Sequence, residues 1–230
     1  MDFLRLVLKT AEHHLGALGL TLARMSHREF LETNRRYRDR GWYGLNDNYR
    51  HDRFLGLAIA TADLGEVRAT IVSRPLDLEG KSLGQALEHL QFAHPEGTTL
   101  DSADRFSAIP REAYWMSGRL SLIGGLWVDS KIAPRSGLRG SSLLSYLTRS
   151  LYAVLLGTEN PDLAICLVVD ELLRGREKRR SILDRYGFQH VAKGPVWEYH
   201  YPDASLPLNL SWADRAALLS ILGETPWVGG

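Results

Sequence analysis

The chain has 230 residues, 44% hydrophobic and 24% charged, with a formal net charge of +1. That is ample for one folded unit with a sizeable core, and no basic excess directs it to nucleic acid or to an anionic membrane surface. Its single cysteine, Cys166, excludes an intramolecular disulfide, and no apolar run reaches the roughly 20 residues that span a bilayer.

Residues 2–15 set Phe3, Leu4, Leu6, Val7, Leu8 and Ala11 at helical spacing. They predict an amphipathic helix packed on the main body. No basic segment leads into an uninterrupted apolar stretch here, so a signal peptide is not expected and the expected location is cytoplasmic. Residues 18–25 alternate and predict a strand. Ser26, followed three residues later by Glu29, forms a capping box for a helix that Gly41 stops. The basic run over 34–40 reads as a solvated, salt-bridged helix face. A polar loop follows with Trp42, Tyr43, Tyr49, His51 and Asp52. Residues 54–63 and 66–78 predict two strands joined by a hairpin.

Residues 83–93 are helical in pattern and carry Glu88 and His89, which read most simply as a solvated face. The polar loop over 94–112 is long for a compact domain, and such loops are usually functional. Residues 114–129 predict a strand with Leu120, Leu122 and Leu126 on one face. The pair Gly124-Gly125 in its middle predicts a bulge or a close backbone approach. A small-residue turn leads next into a helix with Leu143, Leu144, Leu147, Leu151, Val154 and Leu155 at helical spacing. The apolar run 162–170 predicts a central buried strand that holds Cys166 as a core thiol. A charged helix over 174–185 ends at Tyr186-Gly187. Residues 196–202 and 206–212 predict two more strands, and Ser211 with Asp214 reads as a second capping box for the last helix. Hairpins mixed with β-turn-α units predict an α/β class with a mixed sheet.

The turn between Arg135 and Ser141 contains Ser136, Gly137, Leu138, Arg139 and Gly140. A helix N-terminus presents unpaired amides and partial positive charge, and small residues let a phosphate approach them. A plain loop that uses glycine for its φ freedom explains the same residues. No G-K-[ST] follows, so this is not a Walker A loop, and no GxGxxG is present.

The order of these motifs resembles the GNAT superfamily of acyl-coenzyme A N-acyltransferases. It runs strand with a glycine pair, R-x-x-L-x-G-S-x-L-L, long helix, buried strand, charged helix, RYGF. Arg135 and Gly140 stand at the ends of the family's [QR]-x-x-G-x-[GA] signature. Leu138 takes the middle glycine position, with Gly137 beside it. The resemblance covers residues 18–201 and implies a mixed, mostly antiparallel central sheet flanked by helices. It sets residues 1–17 apart as a helical extension and 202–230 as a C-terminal strand and helix packed on the same domain.

That resemblance implies acetyl-CoA or another acyl-CoA as donor. The pyrophosphate would rest on the amides of 135–141, and the pantetheine would lie in a gap opened beside the Gly124-Gly125 bulge. The amides of Trp127 or Val128 would face the thioester oxygen. Trp42, Tyr43 and Tyr49 would wall the site of a small-molecule or peptide amine. Leu183 stands where many members carry an acidic tyrosine, which leaves Tyr186, Tyr146, Tyr152 or solvent as the acid. No single residue stands out as the base: Glu88 and His89 are candidates, and Asp129 with Ser130 lies beside the expected acyl position. Eight histidines show no metal-ligand pattern, so no metal is expected.

A fainter resemblance, carried by YRDRGW over 37–42 and MSGR over 116–119, is to N-acyl-homoserine lactone and long-chain N-acyl amino acid synthases. It retains Arg119 but places Met116 where that group has Glu, and it implies acyl carrier protein as the donor. A non-catalytic acyl-CoA-binding module is the reading from a different class. A homodimer is one assembly compatible with these readings, and the sequence does not fix the oligomeric state.

Overall fold

The structure is a computed structural model. It describes residues 2–37, 53–76, 78, 80–88, 106–107, 109–129, 140–169, 187–188, 190–192, 197–201 and 204–223. In chain order the helices are α1 (Asp2–Gly16), α2 (His27–Tyr37), α3 (Leu83–Glu88), α4 (Gly140–Thr158) and α5 (Arg215–Gly223). The strands are β1 (Leu20–Met25), β2 (Leu55–Thr61), β3 (Val67–Leu76), β4 (Phe106–Ser107), β5 (Leu120–Val128), β6 (Leu163–Val169), β7 (His190–Val191), β8 (Trp197–Tyr201) and β9 (Ala204–Asp214). A 3-10 turn, Arg111–Tyr114, precedes β5.

Among the described residues the nine strands form one sheet, in the order β1-β2-β3-β5-β6-β9-β8-β4, with β7 also on β9. Every pairing is antiparallel except β5 with β6. A parallel pair needs a long crossover, and α4 lies in that connection. The result is the mixed, mostly antiparallel, helix-flanked sheet that the sequence resemblance implies.

Helices pack on both faces, as an amphipathic sheet of this size requires. On one face α1, α4 and α5 bury Val7, Ala11, Leu15, Leu147, Leu151 and Leu218 against Leu57, Ile59, Ile71 and Ile123. On the other, α2 inserts Phe30 against Ala58 and Val72, and α3 covers Leu120, Leu122 and Ile165. The α2 capping box forms as its sequence dictates. Glu29 N–H donates to Ser26 Oγ at 3.2 Å, and Ser26 N–H donates to Glu29 Oε2 at 2.7 Å.

Two expectations are corrected. Leu126 does not share a face with Leu120 and Leu122. Those two lie in the core under α3, whereas Leu126 packs with the α1 and α4 core alongside Ile123. The extra residue of a bulge inverts the alternation of every side chain after it. Nor does Ser211 cap the last helix. It is buried inside β9, paired with Cys166, and the helix begins only at Arg215. Asp214 is the cap: its Oδ1 accepts from Ala217 N–H at 2.8 Å. Cross-strand pairing to β6 holds the chain extended for three residues beyond the local capping signal. Cys166 is buried, and burial alone pushes its thiol up to about 12.

Candidate active site

The centre of the candidate site is the bulge in β5. Gly124 pairs with Val72, and the next pair is Trp127 with Thr70. Gly125 and Leu126 therefore stand opposite Ile71 alone. Gly125 has φ 59°, the left-handed backbone that glycine reaches without a Cβ clash. Space demands glycine there as well. A Cβ would fall 2.6 Å from the Phe30 ring and 2.8 Å from Val72 Cγ2. Thr70 Oγ1 donates a 2.9 Å hydrogen bond to the Gly125 carbonyl, and Thr70 is fully buried.

Beyond the bulge β5 turns away from its parallel neighbour. The β5–β6 ladder runs from Leu120 with Leu163 to Ile123 with Cys166. Both strands continue past it, β5 to Val128 against β3 and β6 to Val169 against β9. A bulge bends its strand and increases the local twist, which accounts for a ladder that stops one residue before Gly124. The two central strands thus diverge toward their C-terminal ends, the end at which open sheets with parallel strands bind ligands. Trp127 and Val128 lie on this diverging segment and are half-buried.

Asp129 follows at the tip of β5. Its carboxylate accepts from Arg68 Nη1 at 2.8 Å, its own N–H donates to the Arg68 carbonyl at 2.8 Å, and Arg68 Nη2 reaches Glu66 Oε2 at 2.6 Å. The Arg68 guanidinium thus links two carboxylates and closes β5 onto the start of β3. Glu88 sits elsewhere. It is exposed on α3 and accepts a 2.7 Å bond from the Tyr114 hydroxyl, before β5 begins. That bond raises the Tyr114 phenol above its ordinary range. The structure does not bring Glu88 and Asp129 together.

Tyr146 and Tyr152 are core residues of α4. Tyr152 is fully buried. Tyr146 stands 3.2 Å from His14 Nδ1 on α1, and burial raises its phenol. Gly140 is the first residue of α4, and Ser141 lies in its first turn. Arg135, Ser136, Gly137, Leu138, Arg139, Tyr186, Trp42, Tyr43, Tyr49, His89 and Ser130 lie outside the described residues. Among the described residues no group of three His, Cys, Asp or Glu side chains could hold a metal ion, and no helix is long and apolar enough to cross a membrane.

Sequence reasoning found the glycine pair but not what holds it. Thr70, Phe30 and Arg68 are the residues that fix the bulge and the tip of β5. Each belongs to an ordinary strand or helix pattern, and no local signal marks a partner 55, 95 or 61 positions along the chain.

No family model matches the chain, and no curated protein matches it. Several solved structures are similar over most of their length. NAA60 of Arabidopsis thaliana, solved with acetyl-CoA, is 10% identical, over 86% of this chain and 99% of that one, at TM-score 0.47. The spermidine N-acetyltransferase of Vibrio cholerae, solved with CoA and spermine, is 8% identical, over 87% and 98%, at 0.46. FeeM, an N-acyl amino acid synthase from uncultured soil microbes, is 13% identical, over 95% and 92%, at 0.43.

Proposed function

We propose that this protein transfers an acyl group from acyl-coenzyme A directly to an amine. One observation carries the reading. The only parallel pair among the described strands, β5–β6, parts at a glycine bulge, and α4 begins beyond the end of the parted strand. A gap between diverging strands offers a slot for an extended, amide-bearing arm. A helix N-terminus beyond it supplies amides and partial positive charge for a diphosphate. In this reading the turn 135–141 takes the diphosphate, with Arg135 and Arg139 adding charge.

The reaction joins the amine nitrogen to the thioester carbonyl carbon, breaks the carbon–sulfur bond, and passes the ammonium proton to solvent or a protein base as the thiolate leaves and is protonated. The protein's part is to hold the two reactants in register and to direct backbone N–H groups of the Trp127–Val128 segment at the carbonyl oxygen as it gains charge. Asp129 is engaged by Arg68 and serves better as an anchor for the tip of β5 than as the base. The acceptor lies against the aromatic loop of Trp42, Tyr43 and Tyr49, whose rings offer flat apolar walls with polar tips. Acetyl is the expected acyl group, and the cytoplasm the expected location.

Calorimetry with coenzyme A, acetyl-CoA and longer acyl-CoA thioesters, followed by turnover on a panel of primary amines, tests the proposal. Binding and turnover with the free thioesters are expected. Turnover only with acylated carrier protein would move the chain to the synthase class. Binding without turnover on any amine would make it a non-catalytic module.

A further inference from the structure

A second cleft lies at the opposite end of β5 from the bulge. It encloses about 490 Å³ between the end of β3, the start of β5 and the end of α4, a volume within the range of small-ligand sites. Leu76, Leu78 and Leu120 form its apolar wall, each 6% exposed or less. Arg53 and Glu159 line it with opposite charges. Glu159 is half-buried and accepts a 3.2 Å hydrogen bond from Ser121 Oγ. Burial raises its carboxyl, while Ser121 and the charge of Arg53 oppose that rise. Arg53 thus acts on Glu159 through space, and no ion pair joins the two among the described residues.

Part of the rim is an ion pair. Arg119 Nη2 donates to Asp162 Oδ1 at 3.0 Å, and Arg119 N–H donates to Oδ2 at 3.0 Å. Gly118, at φ 88°, leaves room for that carboxylate, since a Cβ there would stand 2.8 Å from Asp162 Oδ2. Lys81, also on the rim, has interactions of its own. Among the described lining residues, Arg53 and Glu159 thus offer one guanidinium and one carboxylate with no ion pair between them, beside an apolar wall.

We propose that this cleft binds a small zwitterion, an α-amino acid with an apolar side chain. Its carboxylate meets Arg53, its ammonium meets Glu159, and its side chain lies on the leucine wall. An apolar ligand would desolvate both charges without pairing them, at a cost. An organic anion would satisfy Arg53 and face Glu159, and an organic cation would do the reverse. Only a ligand with both charges makes a charge-assisted bond at each. The site is separate from the β5–β6 opening and does not depend on acyl transfer there.

Isothermal titration of the full chain with three ligands of one skeleton tests this. They are L-leucine, 4-methylpentanoate, which lacks the ammonium, and 3-methylbutylamine, which lacks the carboxylate. Saturable leucine binding is expected, with each analogue at least about tenfold weaker, the usual scale for losing a charge-assisted bond. Arg53→Met should reduce leucine to the level of the amine, and Glu159→Gln to the level of the acid. No saturable leucine binding by folded wild-type protein at millimolar concentration overturns the proposal. So does equal binding of either analogue, or leucine affinity unchanged in both variants. If Glu159→Gln does not fold, the three-ligand comparison on the wild type decides alone.

Discussion

Thr70 and Gly125 are joined across β3 and β5 by a 2.9 Å hydrogen bond from hydroxyl to carbonyl. The bond sits where the register of the two strands slips. It gives a buried carbonyl at the bulge a donor, and so fixes the peptide that starts the divergence of β5 from β6. Thr70→Val keeps the shape and removes the donor. A loss of about 1–3 kcal/mol is expected for a buried acceptor left unpaired, together with weaker coenzyme A binding. Thr70→Ser should restore both. Urea unfolding and calorimetry on the two variants provide the check, and equal coenzyme affinity in all three proteins would detach the bulge from the binding site.

Gly125 faces two demands at once, a left-handed backbone and contact with Phe30. Gly125→Ala is expected to destabilise by about 2–6 kcal/mol, the sum of left-handed strain and overpacking. Combined with Phe30→Leu, which clears the ring, the cost should be less than additive. Additive free energies from denaturant unfolding would mean that the ring does not press on this position.

The start of α5 offers a direct comparison between a local signal and tertiary placement. Asp214→Ala removes the bond to Ala217 N–H and should cost about 1 kcal/mol. Ser211→Ala removes a buried hydroxyl without a hydrogen-bond partner and should be neutral or slightly stabilising. Melting temperatures in the reverse order would return the cap to Ser211.

Glu159 carries a pH signature. Its carboxyl is raised above the ordinary value, chiefly by burial, so the folded state holds the proton more tightly than the unfolded one. The ionised side chain then weakens the fold, and the penalty grows as pH rises from the unfolded value through the folded one. Glu159→Gln should gain on wild type between pH 4 and pH 7 as the penalty appears in the wild type alone. Thermal unfolding at the two pH values reads this, and a difference that shrinks toward pH 7 contradicts it.

Cys166 should resist a thiol reagent at pH 8 in the folded protein and react at once in urea. The thiolate is the nucleophile, and burial pushes this thiol up to about 12. Rapid labelling of the native protein would show that β6 opens between β5 and β9.

Much of the fold was legible in the sequence because its signals are local. The helical spacing of residues 2–15, the Ser26–Glu29 box, the hairpin over 54–78 and the apolar run around Cys166 each depend on neighbours a few positions apart. Gly124-Gly125 announced a bulge for the same reason, since only the backbone at that point has to be unusual. What the bulge does was not legible. Leu126 changes face because a residue of β5 has no counterpart on β3, and Ser211 stays in a strand because β6 pairs with it. Thr70, Phe30 and Arg68 matter through partners distant in the chain, and Arg53 and Glu159 come to line one cleft only once β2 and α4 pack against the same sheet. Local spacing determines which elements form. Register and packing, set by burial and backbone pairing across the whole sheet, decide which side chains end up facing one another.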